Sequence, residues 1–242
     1  MYLPQHYFCI SGELILFATG IGEDHYSTNL AQVYNISAEK CSSLAPFPSS
    51  TRFATGGLVD KTPVLCGGRV DNRATSKCYY HDRNSNSWMV IGNMSTVRDG
   101  AASIVINSKL WVMGGSASDG SGGYPTHTEF IDMKNGGEII SGPPLKEWRS
   151  HYCAVALNVN EVMIIGAATS YLYRKTEIYN TITGDWRDGP TLNVDRTMSA
   201  CALFQSSLHN NRKVVLVAGG SRTNTAEILD YSLENAQWAL SK

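Results

Sequence analysis

Charge is scarce in this chain, and what there is nearly cancels. Only 17% of the 242 residues are charged, and 20 Lys and Arg against 21 Asp and Glu leave a formal −1. Such a balance provides no field to draw the protein onto nucleic acid or anionic lipid. Long apolar runs are missing too, since none approaches the roughly 18 residues of a membrane helix. Residues Met1 to His6 lack both the basic and the apolar segment of a secretory signal. With Met1 as the start, the expected address is the cytoplasm. Two sequons, Asn35-Ile36-Ser37 and Asn93-Met94-Ser95, leave secretion open.

Metal-binding spacing is also absent. The six cysteines, Cys9, Cys41, Cys66, Cys78, Cys153 and Cys201, include no Cys-x-x-Cys. No two histidines stand at zinc-finger spacing, and His25, His81, His127 and His151 fall far apart. Neither a metal nor a cofactor is expected. Most of the cysteines lie within apolar strand patterns, so they read as reduced core thiols. An even count keeps disulfides open.

A repeat is present. Short apolar runs end in the doublets Thr19-Gly20, Gly67-Gly68, Gly114-Gly115, Gly166-Ala167 and Gly219-Gly220, stepping by 48, 47, 52 and 53 residues. A period near fifty marks one supersecondary unit used five times. Each unit reads as four short strands. The innermost is small and β-branched, as in residues 101–106, and begins near Arg52, Arg98, Arg149 or Arg196. Met94, Leu145 and Leu192 stand four residues before three of these arginines. The second strand is wholly apolar, as in residues 162–165, and so reads as buried on both faces.

A third strand alternates polar and apolar residues and carries Tyr34, Tyr79 and Tyr179. From the doublet to its Glu-like position the distances are 12, 9, 14, 10 and 7 residues, which puts Lys77 there in unit two. An Asn, Asp, Ser and Gly turn follows. The outer strand then carries Trp88, Trp186 or Trp238, with Cys41 in unit one and Ile139 or Ile140 in unit three. A tryptophan there is expected to pack between units, with an acceptor for its N–H. Four antiparallel strands per unit, repeated about an axis, give an all-β propeller.

This ordered set (arginine, apolar strand, glycine doublet, aromatic third strand, tryptophan) resembles the Kelch repeat. The resemblance implies a β-propeller of Kelch-type four-stranded blades with one domain over 1–242. Its units run about 3–47, 48–94, 95–145, 146–192 and 193–242. Kelch-type propellers commonly have six or seven blades, and five are counted here. Unit one departs from the pattern, with His6 or Tyr7 near the arginine slot.

Function is expected on the loops from second to third strand and from fourth strand to the next unit, which emerge on one face. The longest spans residues 116–127 and its glycine-rich part precedes no helix, so it does not read as a phosphate cradle. The expected contact residues are Arg69 and Arg73 in unit two, Tyr124 in unit three, and Tyr171, Tyr173 and Arg174 in unit four. For Arg52, Arg98, Arg149 and Arg196 there are two readings. They tie blade to blade, or, as the resemblance implies, they line a pocket that grips acidic peptides.

The leading expectation is a non-catalytic interaction module for a protein or peptide, possibly acidic, with no nucleic acid and no membrane. The alternative class is an enzyme on a Kelch-like propeller, a sialic-acid mutarotase or, less well supported, a copper-radical oxidase. The oxidase would need a cysteine beside a tyrosine, for which Cys78-Tyr79 and Tyr152-Cys153 offer fragments.

Overall fold

In the computed structural model, residues 7–11, 14–22, 26–117, 123–221 and 223–241 are described. Strands fill five four-stranded antiparallel meanders. The first comprises Tyr7–Ser11, Leu14–Ile21, Ser27–Asn35 and Lys40–Ser43. The second comprises Thr55–Val59, Thr62–Cys66, Lys77–Asp82 and Ser87–Asn93, with a small hairpin, Arg69–Val70 and Arg73–Ala74, in its second connection. The third has Ala102–Ile106, Lys109–Met113, Thr128–Asp132 and Glu138–Gly142. The fourth has Cys153–Asn158, Glu161–Ile165, Thr176–Asn180 and Trp186–Asp188, and the fifth Ala200–Ser206, Arg212–Ala218, Ala226–Asp230 and Trp238–Leu240. These are five propeller blades, as the period requires. No helix among the described residues is long and apolar enough to cross a membrane.

Packing divides the chain into two compact units, Met1–Trp148 with the first three blades and Arg149–Lys242 with the last two. Within each unit the innermost strands of successive blades lie side by side. Small residues permit this approach. A Cβ on Gly57 would stand 2.5 Å from Val105 Cγ2 of the next blade. Ser103 Oγ donates to Gly56 O at 2.6 Å across the same seam.

The second strands of the second, third and fourth blades are buried on both faces, whereas in the first blade Phe17 is 36% exposed. Val162, Met163, Ile164 and Ile165 have no exposed surface. In all five blades the doublet takes positive φ, at its first residue in the fourth blade and at both residues in the others, as at Gly67 (63°) and Gly68 (95°). A Cβ on Gly68 would meet Thr51 Cγ2 at 2.6 Å, so glycine serves here for space as well as for backbone freedom.

The outer tryptophans join blades. Trp88 donates from Nε1 to Ala45 O of the first blade at 2.9 Å, and Trp238 to Pro190 O of the fourth at 2.9 Å. Pairing puts Ile139 opposite Ile131, the slot where Trp88 faces His81. In the third blade, therefore, Ile139 takes the tryptophan's place.

One sequence expectation needs correction. Cys66 and Cys78 face each other in register on neighbouring strands, with Cα atoms 4.1 Å apart, and form a disulfide. Cys153 and Cys201, on innermost strands of the fourth and fifth blades, form another with Cα atoms 6.0 Å apart. The expectation of reduced core thiols therefore fails for four of the six, and Cys41 is exposed. Strand pattern signals burial, but pairing depends on register and blade order.

Every third strand ends in a residue that closes the following turn. Asn35, Asp82, Asp132, Asn180 and Asp230 each accept through Oδ1, from the N–H of Ala38, Asn84, Lys134, Ile182 and Ser232 respectively. Competing for local N–H groups is what Asn and Asp do best, and here it sets the turn. Hydrogen bonding holds the three aspartates below the usual carboxylate range. The main donors are Ser85 for Asp82, Lys109 for Asp132 and Ser232 for Asp230.

Two outcomes follow from this architecture. Trp88→Ala removes a buried indole and its inter-blade bond, and should cost about 3–5 kcal/mol in urea unfolding. For the aspartates the folded values are depressed. Their contribution is therefore complete above the unfolded value, roughly pH 4, and is lost as pH falls through the folded values. Replacing all three by Asn, which two blades already use, should flatten the acid limb of stability against pH in urea titrations.

Candidate functional site

The arginine slot is defined by repeated backbone bonds. Gly68 N–H donates to Arg98 O, Ala167 N–H to Arg196 O, and Gly20 N–H to Thr51 O. Four residues upstream of each stand buried Met94, Leu192 and Phe47. In the second blade the slot therefore holds Thr51, and Arg52 lies one residue beyond it. Register likewise places Tyr79, not Lys77, in the Glu slot, since Tyr79 faces Leu65 as Glu129 faces Val112.

Three blades fill both slots with charge. Arg98 donates to Glu129 Oε2 at 2.6 Å and to Gly114 O and His127 O at 3.0 and 3.1 Å. Arg149 donates to Glu177 Oε2 at 2.7 Å and to Gly166 O and Lys175 O. Arg196 donates to Glu227 Oε1 at 3.0 Å and to Gly219 O and Thr225 O. All three arginines have 0% exposed surface.

The main chains of Arg98 and Arg196 meanwhile bond to the preceding blade, donating to Thr75 O and Tyr173 O. Each of these residues thus fixes one blade to the next. A molecule resting on the surface does not meet these guanidinium groups. Burial and the Arg98 charge together hold the His127 imidazole below its ordinary value.

Two residues past each slot the backbone turns left-handed, at Phe53 (56°), Gly100 (58°), His151 (52°) and Met198 (56°). Gly100 N–H donates to Phe53 O at 3.0 Å, and Met198 N–H to His151 O at 2.8 Å. Bulky side chains in this conformation carry strain, which concentrates where loops are held for a purpose. Sequence reasoning did not single out this position, because one glycine among four residues gives no pattern.

Around Phe53 the second blade gathers a cationic patch. Arg52 and Arg69 both lie with Cζ 5.8 Å from the Phe53 ring centroid. Arg69 pairs with the fully buried Asp99 at 2.9 Å. Arg52 donates to Asn72 Oδ1 at 2.6 Å, at the tip of the hairpin that carries exposed Arg73. The structure thus brings Arg52 and Arg69 together at Phe53, with Arg73 on the adjoining hairpin. In the third blade Tyr124, 56% exposed, stacks on Trp148 at 4.1 Å. Residues 118–122 of that long loop lie outside the described residues, as do His6 and His25.

In the second unit, Ser170–Leu172 forms a single 3-10 turn. It anchors through the fully buried Leu172 and leaves Tyr171 62% exposed. Tyr173 beside it is half-buried, and Arg174 pairs with Asp195 at 2.8 Å.

No protein-family profile matches the chain. Over 124 residues it is 28% identical to Kelch-like protein terF of Aspergillus terreus (strain NIH 2624 / FGSC A1156). That stretch is 47% of this chain and 27% of the relative's length. Together with five four-stranded blades in register, the likeness supports a propeller similar to the Kelch type. Among the five blades the second and first depart furthest, with Tyr79 and Gln32 where the other three carry Glu. The cysteines that an oxidase reading set beside tyrosines, Cys78 and Cys153, are each bonded to another cysteine.

Removing one member of a buried pair strands the other. Arg149→Ala or Glu177→Ala should each destabilise by about 3–5 kcal/mol, whereas Arg149→Met with Glu177→Leu should fall much closer to wild type. Thermal unfolding of the three variants checks this.

Proposed function

We propose that the chain is a non-catalytic interaction module that holds an acidic peptide or protein segment on its loop face. The observation that carries this reading is the patch around Phe53. Arg52 and Arg73 have no carboxylate partner among the described residues, whereas Arg69, Arg98, Arg149 and Arg196 each have one. A carboxylate arriving at the hairpin would find one guanidinium backed by an aromatic ring and a second at the edge. Such charge-assisted, bidentate bonding is the strongest polar contact a surface can offer.

Exposed tyrosines serve as contact area in the same role. Tyr124 is held in place by its stacking on Trp148. Tyr171, Tyr173 and Arg174 form a second contact region on the other unit. Arg98, Arg149 and Arg196 act indirectly, by fixing the segments that carry the loops. The near-zero net charge argues against a nucleic-acid partner.

Fluorescence anisotropy with a labelled glutamate-rich peptide pool tests the reading. Binding should weaken as salt rises. Arg52→Ala with Arg73→Ala should lower affinity by about tenfold or more, as expected for lost hydrogen bonds to charged groups. The melting temperature should stay within a degree or two of wild type, because surface changes rarely exceed half a kcal/mol. Equal binding by wild type and the double variant overturns the proposal.

A further inference from the structure

Two independent features concern covalent maturation rather than recognition. Four cysteines are placed as two face-to-face pairs. In the other blades the two positions of Cys66 and Cys78 hold Ala18 and Ala31, Met113 and Thr128, Ile165 and Thr176, or Ala218 and Ala226. None of these carries sulfur on both strands. The second blade alone places cysteine at both positions, and the second pair spans two blades. Stable pairs of this kind belong to oxidising compartments.

The other feature is the residue that closes the third-strand turn. Of its five occupants only Asn35 opens an Asn-x-Ser/Thr triplet; Asn180 is followed by Thr181-Ile182. Asn35 Oδ1 accepts from Ala38 N–H at 2.9 Å, and its Nδ2 has no protein partner among the described residues. Ile36 to Lys40 are all exposed, Ile36 by 45%. The other triplet is hemmed in, because Met94 is buried and Ser95 is bonded to Glu129 Oε1 and His127 Nε2.

From these we infer that the protein matures in the secretory route, carrying an N-linked glycan on Asn35 and disulfides Cys66–Cys78 and Cys153–Cys201. In the glycosylation step Asn35 Nδ2 attacks C1 of a lipid-pyrophosphate-linked oligosaccharide. The N–C bond forms, the C–O bond to phosphate breaks, Nδ2 loses one proton and the lipid pyrophosphate leaves. Each disulfide forms by exchange with a disulfide-carrying oxidoreductase. Two thiols lose two protons and two electrons, and the carrier is reduced to its dithiol. In a meander the turn after the third strand lies at the opposite end from the second-to-third loop. The glycan therefore stands away from the first blade's own recognition loops.

The test is peptide mass spectrometry on the full chain isolated from the organism that makes it. The protein is denatured and alkylated without reductant, then treated with peptide N-glycosidase in heavy-oxygen water. Cross-linked peptides joining Cys66 to Cys78 and Cys153 to Cys201, with Asn35 recovered as heavy-oxygen aspartate, are the expected result. Alkylated thiols at those four cysteines, or Asn35 recovered as unmodified asparagine, overturn the inference.

Discussion

A guanidinium buried without water has to be answered by a carboxylate and by carbonyls, and that requirement organises the blades. Arg98, Arg149 and Arg196 each find a glutamate on the third strand, the carbonyl of the doublet's first residue and the carbonyl two residues before the glutamate. Desolvating such a pair is costly, and its attraction offsets that only with good geometry and further hydrogen bonds. The doublet's positive φ turns its carbonyl toward the arginine, and the loop after it brings the glutamate alongside. Second strand, doublet, third strand and inter-blade segment are thereby fixed by one interaction.

The loop face inherits its rigidity from that arrangement. Hairpin, single 3-10 turn and stacked aromatic ring all spring from positions one to a few residues from a buried arginine or its partner glutamate. The second blade departs most clearly: its slot is neutral, and its arginines are displaced outward around Phe53. Phe47 packs edge-to-face on both Tyr79 and Trp88, and Tyr79 stands where three blades carry Glu.

Much of the scaffold was legible in the residues. Unbroken apolar runs closed by two small residues left little choice but buried strands, and the tryptophan spacing pointed to blade joints. Slot assignment in the second blade was not legible. Arg52 stands one residue from the position where spacing seeks an arginine, and a step of 46 rather than 47 is within the repeat's own variation. Lys77 misled similarly, because the Arg69–Ala74 hairpin changes the loop length before Tyr79. Whether the arginines faced solvent or core could not be read from sequence, since both readings use the same residue. Cysteine pairing was hidden for the reason given by the fold: partners 48 residues apart meet only once two blades stand side by side.

Neutral Thr51 opposite Tyr79 has a consequence for how such repeats diverge. A lone arginine arriving at 51 would be marooned, and a lone glutamate at 79 equally so. Each single step costs stability, although the completed pair stands in three sister blades. The two sites are therefore expected to change together, never one at a time.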